Sequence, residues 1–302
     1  RNPVINIRSF GEDPARVGAM VSSWVKGLQD AGMLATLKHF PGHGDTDVDS
    51  HLGLPLVAHP RTRLDAVELP PFQDGMTAGA AGVMVAHMEM PAIDPEKRPA
   101  TFSPAVIGDL LRGQMRFTGL IYTDSMKMQA ITKMASPGEA AVRAVQAGID
   151  VVLDSPDTSA AALALAAAVK DGTIPRAQVE RSGRRILEAK ARLGLHRTRA
   201  VNIESAPLSV GGRKHEAIAQ AVSDRALTLI KDERTMVPLA TPRTGSMLYL
   251  SVLDYPSGWR IAAQLEQTLK PEMAQVCLFN FRMIFLFLSA PRKRLICPKR
   301  EN

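Results

Sequence analysis

Seven residues that can move protons or bind a polar ligand crowd into one short stretch, Lys38–His51 (KHFPGHGDTDVDSH): Lys38, His39, His43, Asp45, Asp47, Asp49 and His51. Imidazole titrates near neutral pH, so a histidine can give and take a proton within one reaction cycle. Pro41, Gly42 and Gly44 break helix and strand alike, which makes the stretch a loop. The same residue types suit a metal ion, since His39, His43, Asp45, Asp49 and His51 are all possible ligands. The i, i+4 spacing of His39 and His43 would mark a zinc helix, but Pro41 and Gly42 forbid that helix, which weighs against a metal.

A second candidate is Asp124 in Tyr122–Met126 (YTDSM), directly after the apolar run Gly119–Thr123 (GLIYT). A carboxylate there can serve chemistry at a strand end or N-cap the next helix, and the residues alone leave both open. His87 follows another apolar run, Gly82–Ala86 (GVMVA), either at a cleft or as a satisfied histidine at the core edge.

The elements that must position these groups are legible from pattern. Asp13 is a plausible N-cap, Pro14 sits at the favoured first helical position, and Gly32 can close the end. Between them Val17, Met20, Val21, Trp24, Val25 and Leu28 follow helical spacing. Strands are expected at Met33–Lys38, Gly82–Ala86, Gly119–Thr123 and Asp150–Leu153. Helices are expected at Thr62–Ala80 (interrupted by Pro70 and Pro71), from Ser103 and Pro104, and at Gly138–Gly148, Thr158–Lys170 and Arg176–Leu193. This β-α alternation is that of a parallel sheet covered by helices. Polar residues cluster just after each strand: Lys38 and His39, His87, Asp124, Asp154. No Gly-rich fingerprint follows a strand, which disfavours a doubly wound nucleotide-binding sheet.

Composition sets bounds. A chain of 302 residues, 45% hydrophobic and 22% charged, can bury a full core and hold one large domain or two smaller ones. The net charge of +7 is scattered until the last residues, and no basic stripe interleaves with aromatics, so nucleic acid is not the expected partner. Two cysteines near the C-terminus exclude a disulfide scaffold. No signal peptide opens the chain, and no apolar run reaches membrane-spanning length.

Lys38–Gly44 (KHFPGHG), followed four residues later by Asp49–His51 (DSH), resembles the diagnostic loop of the bacterial β-N-acetylglucosaminidases of glycoside hydrolase family 3. Thr123–Met126 (TDSM), with Met128 and Ile131, resembles that family's nucleophile motif, and Asn2–Pro14 resembles its N-P-x-I-x-x-R-S-F-G-x-D-P segment. The likeness reaches about residue 196, and more weakly about residue 260. It implies an α/β fold, a (β/α)8 TIM barrel over residues 1–196 whose opening strands are missing from this sequence. A chain holding half a barrel would expose unpaired strand edges and be inactive or unstable alone.

The resemblance also implies an activity: a retaining exo-β-N-acetylglucosaminidase without a cofactor, acting on a small carbohydrate substrate such as a cell-wall, muropeptide or chitin fragment. Asp124 is then the nucleophile, His51 the proton donor and later base, and Asp49 the residue that orients it. Arg8, Lys38 and His39 match positions that bind the sugar hydroxyls; His87 is a further substrate-binding candidate, and His43 and Asp45 shape the loop. His59, His196 and His215 carry no motif. Phosphorolysis by the same residues is an alternative, because a neutral histidine repels phosphate less than a carboxylate would. A truncated, non-catalytic sugar-binding remnant is another.

A linker rich in Pro, Ser and Gly is expected over 197–212. Beyond it a helix at Arg213–Asp224, strands at Leu227–Lys231 and Met247–Leu253, and a helix at Gly258–Leu269 read as the beginning of a second α/β sandwich domain, residues 213–275. Residues 276–302 hold both cysteines and four of nine phenylalanines before a basic run, and read as an atypical tail. Arg282 interrupts its apolar stretch, which argues against a membrane anchor.

Overall fold

Three short apolar runs pair side by side as β1 (Thr36–Phe40), β2 (Gly82–Val85) and β3 (Leu120–Thr123), all parallel and in the order β1-β2-β3. They lie in the first of two compact units, Arg1–Asn202 and Ile203–Asn302. The protein's structure, a computed structural model, describes Ile5, residues 8–46, 53–233 and 235, and the backbone of two further strands. Leu37 pairs with Val83 and Phe40 with Val85, while Val83 pairs with Ile121 and Val85 with Thr123. Phe40, Val83, Val85 and Ile121 are fully buried, as expected where helices cover a parallel sheet.

β1 sits slightly later than Met33–Lys38. Gly32 adopts φ +84° just past the preceding helix, and Met33 is exposed in the connection, so pairing starts only at Thr36. His39 therefore belongs to the strand rather than to the loop. The expected fourth strand, Asp150–Leu153, is reduced to one parallel bridge between Tyr122 and Val151. Side chains displace the ladder there: the Asp150 carboxylate takes the Ile121 N–H at 3.0 Å, and the Thr123 hydroxyl takes the Leu153 N–H at 2.8 Å.

The helices start and stop where capping chemistry places them. Asp13 accepts from the Arg16 amide at 2.7 Å and Pro14 opens the helix Pro14–Asp30. Ser136 caps Pro137–Ala147, which ends on Gly148 at φ +112°, and Asp157 caps Thr158–Lys170. The expected helix over Thr62–Ala80 divides into Arg61–Arg63, a wider turn at Leu64–Glu68, and Pro70–Thr77. Pro70 and Pro71 have no N–H to donate, and the Leu69 N–H reaches back five residues to the Leu64 carbonyl. A Cβ on Gly75 would lie 2.6 Å from Leu37 and 2.8 Å from Val21, so this glycine lets Pro70–Thr77 approach both β1 and the first helix. Ser103 caps the helix Ala105–Gln114 by accepting the Val106 amide, and Arg176–Arg192 ends the helical layer.

In the second unit, Arg213–Ala226 is helical and β4 (Arg243–Leu253) pairs in parallel with β5 (Met273–Arg282). The boundary drawn from composition at 275/276 therefore falls inside a strand, because Val276–Phe281 is itself a run of strand formers facing Met247–Val252 in the ladder. Leu227–Lys231 is not a strand: Leu227 and Ile230 are exposed, and no described strand pairs with them. A short helix, Ala206–Ser209, lies in the expected linker. The expected helix Gly258–Leu269 and the end of the tail lie outside the described residues.

The start of β3 rests on a buried ion cluster. The wholly buried Asp150 carboxylate accepts from Arg112 Nη2 (2.6 Å), Arg185 Nη1 (3.0 Å), Ser182 Oγ (2.6 Å) and the Ile121 amide (3.0 Å). Burial lowers the Arg112 guanidinium to about 10, an effect that Asp150 partly reverses. Two helices are thereby joined to the strand opening. Asp150→Ala, which removes the acceptor shared by Arg112 Nη2, Arg185 Nη1, Ser182 and the Ile121 amide, is expected to lower unfolding stability by about 3 kcal/mol. Chemical denaturation checks this, and a loss below about 1 kcal/mol, as for an exposed pair, would show that the cluster is dispensable.

Candidate functional site

Parallel pairing puts the carboxyl ends of β1, β2 and β3 at one edge of the sheet, where α/β proteins gather polar groups. His39 lies in β1 itself, His87 two residues past β2, and Asp124 directly after β3. The Asp124 amide donates to the Val85 carbonyl at 3.0 Å, which fixes its backbone to β2. Its Oδ1 accepts from the Ser125 amide at 2.8 Å, and its Oδ2 stands 3.6 Å from His39 Nε2. The next helix, Gln129–Thr132, starts at Met128, so Asp124 caps nothing. The two side chains are 18% and 10% exposed, enough to meet a ligand and dry enough to strengthen its polar contacts.

Burial pushes the His39 imidazole down to about 4; Asp124 pulls it partly back, while Lys38, His43 and Arg8 push it further down. It is neutral at pH 7. Arg8, Lys38 and His39 all line a cavity of about 1190 Å³. The structure thus gathers Asp124, His39, Lys38 and Arg8. A carboxylate beside a neutral imidazole and two cations can attack an electrophilic carbon or stabilise positive charge on it, while the other groups hold hydroxyls.

Behind His39 the loop locks itself. The His43 ring lies edge-on to that of His39, centroids 6.0 Å apart, and its Nδ1 meets the Thr46 hydroxyl at 3.0 Å. Asp45 pairs with His59 at 2.9 Å, a contact across fourteen residues that sequence spacing does not reveal. Gly42, at φ +135°, packs so closely that a Cβ would lie 2.8 Å from Glu68 Cβ. Both peptide bonds Lys38–His39 and Phe40–Pro41 are cis. Asp49 and His51 lie outside the described residues.

His87 is fully buried and lines no cavity wall described here. Its Nε2 donates to the Ser125 carbonyl at 3.0 Å, which leaves Nδ1 as an acceptor for the Thr101 hydroxyl at 2.7 Å. That hydroxyl has one hydrogen, and the Ala86 carbonyl is further away at 3.1 Å. Burial holds His87 below its ordinary value, against the opposing pull of the Ser125 carbonyl and Asp124. Both ring nitrogens of His87 thus have internal partners. Ser125, Lys127 and Asp154 were not singled out by any motif role, yet Ser125 Oγ donates to Asp154 Oδ2 at 2.8 Å and Lys127 Nζ meets Asp154 Oδ1 at 2.6 Å.

Among the described residues, no group of three or more His, Cys, Asp or Glu is arranged to hold a metal ion, and no helix is long and apolar enough to cross a membrane.

Residues 1–189 match the glycosyl hydrolase family 3 N-terminal domain. The chain is 33% identical over 252 residues to the β-hexosaminidase A of Pseudoalteromonas piscicida, which covers 77% of this chain and 42% of that protein. Its structure is similar to that of a glycoside hydrolase family 3 β-N-acetylglucosaminidase from Paenibacillus sp. str. FPU-7, with a TM-score of 0.77 and 35% identity over 92% of this chain and 59% of that one. It is also similar to a β-glucoside phosphorylase, with a TM-score of 0.83 and 26% identity over 97% of this chain and 54% of that one. The chain spans about half the length of these relatives. A family domain matched over most of the first unit, with Asp124 and His39 set together at the carboxyl ends of its strands, places this chain in glycosyl hydrolase family 3.

Proposed function

We propose that this chain carries the catalytic face of a retaining exo-β-N-acetylglucosaminidase acting on terminal β-linked N-acetylglucosamine of cell-wall or chitin-derived fragments. The observation that carries the reading is the Asp124 carboxylate, held at the end of β3 with Oδ2 3.6 Å from the neutral His39. Its similarity to a β-hexosaminidase and a β-N-acetylglucosaminidase supports the sugar assigned. In this reading β1, β2 and β3 belong to a (β/α)8 barrel over residues 1–196. Residues 197–212 link it to an α/β domain that begins at 213.

Arg8, Lys38 and His39 hold the sugar hydroxyls, and their donors lose heavily when left unpaired, which fixes the ring's orientation. Asp124 attacks the anomeric carbon as the bond to the leaving oxygen breaks, and His51, oriented by Asp49, gives its proton to that oxygen. Asp124 is then esterified to the sugar and His51 is neutral. Water attacks the same carbon, His51 takes the water's proton, and Asp124 leaves as a carboxylate. No cofactor enters this scheme.

The similarity to a β-glucoside phosphorylase favours one second reading, in which phosphate replaces water in the second half-reaction. Product analysis with and without phosphate separates the two: a sugar 1-phosphate would select phosphorolysis.

In the full-length protein Asp124→Asn is expected to cut turnover of an aryl β-N-acetylglucosaminide by at least about 10³-fold, with N-acetylglucosamine binding retained. Turnover within about tenfold of wild type would remove Asp124 from the nucleophile role. His51→Ala is expected to lower the rate by roughly 10²–10⁴-fold, with smaller losses for aryl groups that leave as weak bases. Equal losses along a leaving-group series would mean that His51 shapes the loop and transfers no proton.

A further inference from the structure

Resting on the reading of Asp124 as nucleophile, we infer that Ser125 is a positioning residue, pinned at its amide, carbonyl and hydroxyl so that Asp124 Oδ2 is the attacking oxygen. The Ser125 amide binds Oδ1 at 2.8 Å, which leaves Oδ2 as the oxygen toward His39. The Ser125 carbonyl accepts from His87 Nε2 at 3.0 Å, behind β2. The Ser125 hydroxyl donates to Asp154 Oδ2 at 2.8 Å, and Asp154 is itself held by Lys127.

Each pin comes from a different part of the fold. His87 is immobile, being fully buried with both nitrogens bonded. Asp154 follows the segment bridged to β3, and its backbone at φ +53° lies in the left-handed region that Asp and Asn tolerate better than most residues. The Met126 amide donates to the Leu153 carbonyl at 3.0 Å, closing the same turn from its far side. The Asp124 amide, bonded to Val85, and the Ser125 carbonyl and hydroxyl flank the Ser125 amide on both sides and hold it toward Oδ1. One carboxylate oxygen is thus kept on a backbone donor throughout the reaction, and the other is left for bond formation. No motif role assigns Ser125 or Asp154 to this task.

The test compares Ser125→Ala, Asp154→Gly and Asp154→Asn in the full-length protein. Glycine removes the carboxylate while permitting the positive φ; asparagine keeps both the backbone and an oxygen acceptor. Ser125→Ala and Asp154→Gly are expected to lower kcat about tenfold with KM little changed, and Asp154→Asn to recover most of that loss. Independently of turnover, ¹⁵N-serine spectra should show the Ser125 amide proton following the titration of Asp124, a response absent in Asp124→Asn and weakened in Asp154→Gly. A wild type without turnover whose Ser125 amide still tracks Asp124, and tracks it less in Asp154→Gly, would sink the hydrolase reading and sustain the positioning role. Unchanged kcat with an unchanged amide response overturns the inference. So does a loss of rate that follows melting temperature alone and is not recovered by Asp154→Asn.

Discussion

Parallel pairing is the constraint from which the rest of the first unit follows, although β1 slips one residue against β2 between Leu37 and Phe40, where His39 lies. Phe40 stands opposite Val85 and Val85 opposite Thr123, so the three strands run out at one level. The next amide in line, that of Asp124, bonds the Val85 carbonyl as the last rung. A carboxylate one residue beyond the ladder is as rigid as the sheet, yet its side chain has left it. Had β1 ended at Lys38, as its apolar run suggests, His39 would sit on a loop. Instead it is a strand residue, and its ring meets Asp124 across the gap above β2.

The two ends of the sheet use buried polarity in opposite ways. At the opening of β3, Asp150 is saturated by four donors, and nothing is left for a ligand. At the closing end His87 is bonded at both nitrogens, but Asp124 spends Oδ1 on Ser125 and keeps Oδ2, and His39 keeps its ring against a cavity. Buried polar groups that are fully bonded rigidify a fold, and those that are partly bonded await a partner. The fully bonded Asp150 cluster thus lies at the opposite end of β3 from Asp124 and His39.

Much of this was legible in the sequence, for identifiable reasons. Asp13-Pro14, Ser136-Pro137 and Asp157 announce helix starts because capping is a local event, decided within four residues. The short apolar runs announce strands because burial on both faces leaves little room for polar residues. What failed was decided by partners distant in sequence. Asp150–Leu153 has strand composition but loses its ladder to the side chains of Asp150 and Thr123. Leu227–Lys231 has the composition too, and no described strand to pair with. Within the site, Lys38, His39 and Asp124 stood out by type and motif. Asp154 stood out only by its place after an apolar run and Ser125 not at all, because the hydrogen bond that joins them spans 29 residues.

The charge arrangement also narrows what the site can accept. Burial alone would make His39 a poor cation, and Lys38 and Arg8 nearby make it poorer still. At neutral pH its imidazole therefore offers one donor and one acceptor, a pair that matches a hydroxyl group, which is likewise both. The cavity wall carries both signs, with Arg8, Lys38 and Arg63 beside Glu12, Asp45 and Glu68, and Asp124 stands 3.6 Å from His39. In the proposed reading a neutral polyhydroxylated ligand is held by charged donors without bringing a charge of its own into partly dry surroundings, where an unpaired ion is most costly. In the same proposed reading Asp124 answers a carbon of such a ligand as it becomes electron-poor, and its stabilisation grows with the very charge that the reaction creates.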